Sequence, residues 1–130
     1  MGVTPEELLA YAESLIQQPA EISIRNAAGR AFYAAYHACS PINERLDPGL
    51  KFKEGTHQKL IRLFTEYHGA DDDTSRKVRI LGAMYRQVRD LRSKADYEID
   101  SEFTLGEAQV LLGTARRIID RTVELNRVDL

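Results

Sequence analysis

Residues 25–38, RNAAGRAFYAAYHA, decide the fold. Six of the fourteen are alanine, the strongest helix former. At about 100° per residue, Ala27, Ala31, Ala34 and Ala38 make one row, with Ala28 and Ala35 beside it. Small side chains let a neighbouring helix come close. Phe32, Tyr36 and Cys39 carry the apolar surface further round. Asn26, Arg30, Tyr33 and His37 fall into a band about 60° wide. Only Arg25 and Gly29 are expected to face outward. The pattern describes a central helix, wrapped on nearly every side, with one polar strip. Such strips are usually solvated edges or internal hydrogen-bond networks; a cleft wall or a subunit seam is the functional alternative.

The flanking sequence is helical too. Thr4-Pro5-Glu6-Glu7 is a capping box with proline at the first helical position, and that helix should end near Gln18-Pro19. The central helix is expected from Glu21 to Cys39, with continuation to Arg45 open. DPGLKFKEG (47–55) reads as a loop. Thr56 is a candidate cap for a third helix that should stop at His68-Gly69. Asp71, Asp72 and Asp73 suit capping and dipole positions of a fourth, expected over about Ser75–Ile99. Thr104-Leu105-Gly106-Glu107 opens a fifth, running to about Asn126. No stretch alternates with period two for long. The expectation is a single all-α domain over 1–130, a five-helix bundle.

Composition narrows the classes. Of the 130 residues, 43% are hydrophobic and 29% charged, as in a globular chain. The net charge of −2 means that a nucleic-acid site would have to be a local patch. Cys39 is the only cysteine, so no internal disulfide or CxxC zinc pair exists, which suits a reducing cytoplasm. The N-terminal stretch has acids and no basic n-region, unlike a secretory signal. No apolar run reaches the roughly 20 residues of a membrane span. P-loop, GxGxxG, HExxH and EF-hand patterns are all missing. His37 and Cys39 point to different helix faces. No cofactor and no metal are expected.

The fourth helix holds the sharper signal. Leu81, Met84, Tyr85, Val88, Leu91, Ala95 and Ile99 form its apolar stripe, and Arg92 falls within it. A charge on a core-facing stripe is costly unless paired. The expected partner is Asp96, at i,i+4. The pair either fixes helix register or holds a guanidinium for a phosphate. Arg86, Arg89, Arg92 and Lys94 make this a local basic run. In the last helix, Arg116, Arg117, Arg121 and Arg127 alternate with Asp120 and Glu124, as on a solvated, salt-bridged face.

RNAAGRAFYAAYHA, then GTHQKLIRLF (55–64), then LRSKADY (91–97) together resemble the HEPN domain, named for nucleotide binding in higher eukaryotes and prokaryotes. The resemblance covers most of the chain. It implies a helical bundle that pairs as a homodimer, with the second and fourth helices beside a shared cleft. It implies an RNA- or nucleotide-binding protein of a toxin–antitoxin or defence system, with a small nucleotidyltransferase-type antitoxin as partner. Many members are metal-independent endoribonucleases with an Arg followed a few residues later by a His. Arg92 matches that Arg. Tyr97 stands where the His is expected, and no histidine follows His68. Tyrosine, with a pKa near ~10, is a poor general base at neutral pH. The candidate site residues are therefore Arg92, Tyr97 and His37 for catalysis, and Arg30, Tyr33, Asn26, Arg89 and Asp96 for binding. Tyr97 is also a candidate for adenylylation by such an antitoxin. An active endoribonuclease and a non-catalytic dimerisation or antitoxin-docking module are the alternatives.

Overall fold

A computed structural model describes residues 2–48 and 55–130. Five helices follow one another: α1 (Pro5–Leu15), α2 (Glu21–Leu46), α3 (Thr56–Thr65), α4 (Asp72–Tyr97) and α5 (Leu105–Leu125). No strand occurs among the described residues. Most of the expected 47–55 loop, positions 49–54, lies outside them.

Both capping boxes form as their sequences require. Thr4 and Thr104 accept from the backbone of Glu7 and Glu107, whose carboxylates reach back to the cap N–H groups. Asp71 caps α4, accepting from the Thr74 backbone at 2.9 Å and the Thr74 hydroxyl at 2.6 Å, so α4 starts three residues before Ser75. It ends at Tyr97, which leaves Ile99 off the apolar stripe and 75% exposed. The third helix differs more. Gly55, at φ 69°, is its N-cap, Thr56 is its first residue, and it stops at Thr65. The central helix runs to Leu46, through Pro41. Proline has no N–H to give the His37 carbonyl one turn back, and Pro41 lies on an exposed face of the helix.

α2 is the axle of the bundle, touching all four other helices. Ala27, Ala28, Ala31, Phe32, Ala34, Ala35, Cys39 and Ile42 are fully buried along it. The expectation that Arg25 and Gly29 face outward is wrong: both are buried. Arg25 turns its guanidinium onto the end of α4. It donates to the carbonyls of Ala95 (2.9 Å), Glu98 (3.3 Å) and Ser101, while Nε donates to Glu21 at 2.9 Å. Its charge thus meets the negative end of the α4 dipole. At the other end of α2, Arg45 does the same for α5, donating to Leu125 (3.3 Å) and Val128 (2.6 Å). Each end of the axle therefore closes the C-terminus of a neighbouring helix.

Close packing of α3 on α4 is set by Gly82. A Cβ there would meet Thr65 N at 2.9 Å and Phe64 Cβ at 2.8 Å. That close crossing brings the first turn of α3, with His57, over the middle of α4.

Candidate functional site

Arg92 projects from α4 toward α2. Its guanidinium carbon lies 5.1 Å from the Phe32 ring centre and 5.6 Å from that of Tyr97, within cation–π range. Its Nε is 2.8 Å from Asp96 Oδ2, so the expected i,i+4 ion pair forms. This N–H does not point at the carboxylate, however, and it is buried without a hydrogen bond. Asp96 packs against Gly29, where a Cβ would stand 3.9 Å from Oδ1. The α4 end therefore lies directly on α2, held there by Arg25.

The polar strip of α2 runs beside this contact. Arg30 places its guanidinium carbon 4.8 Å from the Tyr33 ring centre, and its buried Nε has no hydrogen-bond partner. Tyr33 stacks with His37 at 6.3 Å between ring centres. His37 also meets Tyr36 edge-on at 5.2 Å. Asn26, Tyr33 and His37 are exposed, as is Tyr97, at 70%. No ring, hydrogen-bond or ion-pair contact of His37 reaches Arg92. Arg89, one turn before Arg92, is paired among the described residues only with its neighbour Asp90, at 3.0 Å.

The histidine that does enter this region is His57, from the first turn of α3. Its ring meets Phe32 at 5.1 Å, Tyr36 at 5.2 Å and Tyr85 at 6.1 Å. Burial lowers its pKa below the ordinary 6.5, and the positive charges of Arg92 and Arg89 lower it further. His57 is accordingly neutral at pH 7. Its Nδ1 is 2.7 Å from the Tyr85 hydroxyl. Tyr85 is fully buried, and burial raises its pKa, keeping it protonated. Among the described residues that hydroxyl has no other hydrogen-bond partner, and a buried O–H needs an acceptor. Tyr85 therefore donates to Nδ1, and the imidazole proton sits on Nε2. His57 presents a donor to its surroundings, not a base.

Sequence reasoning passed over His57 because it sits in a short helix whose partner faces were unknown. Its aromatic neighbours come from two other helices. A weak signal existed in hindsight: Phe32, Tyr36 and Tyr85 lie on core-facing positions, and a ring nitrogen against them needs a hydroxyl such as that of Tyr85.

The grouping can bind an anion beside exposed aromatic rings. Among the described residues, no three His, Cys, Asp or Glu side chains converge on a point that could hold a metal, and no helix is long and apolar enough to cross a membrane. No family model, curated protein or solved structure matches the chain.

Proposed function

We propose that this chain is a HEPN-like RNA-binding protein whose ribonuclease motif is incomplete. One observation carries the reading: two arginines, Arg92 and Arg30, each lie against an exposed tyrosine, Tyr97 and Tyr33, beside the α2–α4 contact. Guanidinium groups suit phosphates, and exposed rings suit unstacked bases. Both arginines keep a buried Nε–H without a hydrogen bond, so neither guanidinium is fully satisfied by the fold itself. Asp96 pairs with Arg92 at 2.8 Å, and Arg89 adds charge one turn away.

Catalysis ranks behind binding in this reading. Attack by a ribose 2′-OH needs a base within reach of the stabilising cation. A tyrosine is a poor general base at neutral pH, and His57 has its Nδ1 engaged by the Tyr85 hydroxyl. In the same reading the exposed apolar side chains of Ile22, at the start of α2, and Ile99, just past α4, 73% and 75% exposed, belong to the seam of a cytoplasmic homodimer. A nucleotidyltransferase-type antitoxin is the proposed partner in a toxin–antitoxin or defence setting.

The test is binding of an unstructured oligouridine across a salt series. The proposed site predicts affinity that falls with salt, because phosphate contacts release counterions. It also predicts that Arg92→Ala and Tyr97→Ala each weaken binding by about tenfold, the scale of a charged hydrogen bond or a stacked base. Binding that ignores both salt and Arg92→Ala overturns the reading. Metal-free cleavage of the same RNA, abolished by Arg92→Ala, would restore the active-ribonuclease alternative.

A further inference from the structure

We propose that the groove between α3 and α4 is a phosphate-binding site in its own right, built by Arg62, Arg86 and Arg89. The groove encloses about 210 Å³ and is lined by Gln58, Ile61, Arg62, Thr65, Glu66, Arg86 and Arg89. That is below the ~300–1,000 Å³ of pockets that take drug-sized ligands, so it suits a small group. Ile61 is the one wholly apolar residue on its wall, which suits an ionic group.

Both walls supply cations. Arg86 and Arg89, three apart on α4, face α3; Gln58 and Arg62, four apart on α3, face α4. Among the described residues the side chains of Arg62 and Arg86 make no hydrogen bond or ion pair, and Arg89 is held only by Asp90. Three guanidiniums stand against one lining carboxylate, Glu66. An oxyanion placed between the walls can take charge-assisted bonds from both. Three arginines against one lining carboxylate, in a chain of net charge −2, are a local reversal of its overall field.

Arg89 links this groove to the Arg92 cluster, and its charge is felt at His57, the neighbour of the lining residue Gln58. Arg86, Arg89 and Arg92 step along α4 by three residues, about 4.5 Å of rise each. A ligand with successive phosphates can follow them. This deepens the RNA-binding reading and rests on it for the ligand's identity: a strand, with phosphates at both sites, and not a mononucleotide. The phosphate site itself stands on its own geometry.

Two probes test it. Inorganic pyrophosphate, followed by the arginine side-chain Nε–H resonances, should perturb Arg62 and Arg86 in the full chain, and Arg92→Ala should leave that response intact. Replacing both residues (Arg62→Gln with Arg86→Gln) should weaken pyrophosphate by about tenfold, with unchanged helicity and melting. Glu66→Gln should strengthen it. For an oligouridine of about eight nucleotides, the double variant should lower both affinity and the steepness of the salt dependence. Silence of Arg62 and Arg86 toward millimolar pyrophosphate, or undiminished pyrophosphate affinity in the double variant, overturns the site. If pyrophosphate binds here but the oligouridine binds nowhere, the site stands and the RNA reading falls. If the oligouridine binds through Arg92 while the double variant changes nothing, the RNA reading stands and this site falls.

Discussion

His57 Nδ1 lies 2.7 Å from the Tyr85 hydroxyl, and this bond ties the first turn of α3 to the middle of α4. Burial and two nearby guanidiniums favour its neutral form in the folded chain, whereas the unfolded chain titrates near 6.5. Between the lowered folded value and 6.5 the unfolded state binds more protons, so stability rises with pH there. The contribution is complete above about 6.5 and is lost as pH falls through the folded value. Urea midpoints taken from pH 7.5 down to 5 should show this decline, and His57→Gln should flatten it. Parallel curves for the two proteins would show that His57 is not coupled to folding.

Arg25 is the fastener of the α4 end. Arg25→Ala deletes several charged hydrogen bonds to main-chain carbonyls, and should cost about 3 kcal/mol, since each such bond is worth ~1.5–3 kcal/mol. Arg25→Lys keeps the charge but not the fork, and should recover only part. Amide hydrogen exchange should show the residues around Ala95–Ser101 losing protection first. A loss below ~0.5 kcal/mol, the size of an ordinary surface change, would contradict this role.

Two helical glycines should respond in opposite directions to alanine. At Gly29 the new methyl stands 3.9 Å from Asp96 Oδ1, ordinary contact, and better helix propensity should stabilise by up to ~1 kcal/mol. At Gly82 it meets Thr65 backbone at 2.9 Å, and overpacking should destabilise by about 1–3 kcal/mol. Because Gly82 sets the seat of α3, Gly82→Ala should also shift the His57 ring resonances. Equal effects at the two positions would count against the close α3–α4 crossing.

Asp96 competes with any anion for Arg92. The pair is partly exposed, at 18% and 36% of the side chains, so Asp96→Asn should change stability by less than ~1 kcal/mol. Affinity for the oligouridine should rise several-fold by direct titration. A fall in affinity would instead mean that Asp96 is needed to hold the guanidinium in place.

Much of the helical framework was legible beforehand. The Thr4 and Thr104 boxes, the Asp71 region, the alanine rows and the Arg92–Asp96 pair are local patterns, decided within a few residues. The misreadings share one cause. Helical angles order the faces of one helix but do not say which neighbour covers each. Arg25 and Gly29 sit on a face that α4 covers with its C-terminal end, so an arginine judged solvent-facing became a buried cap. Thr65, whose backbone lies against Gly82, ends α3 before the expected stop at His68-Gly69, a boundary that local spacing did not mark.

The candidate site divides the same way. Tyr33, His37 and Arg30 could be grouped from spacing because they share one helix. His57, Phe32, Tyr36 and Tyr85 could not, since they come from three helices and their meeting depends on how those helices pack. The sequence by itself determined an all-helical chain, its caps and an arginine on a core stripe, because these follow from short-range periodicity and hydrogen bonding. Only the tertiary structure decided which histidine stands near that arginine and which arginine is buried, because burial and convergence are properties of packed surfaces.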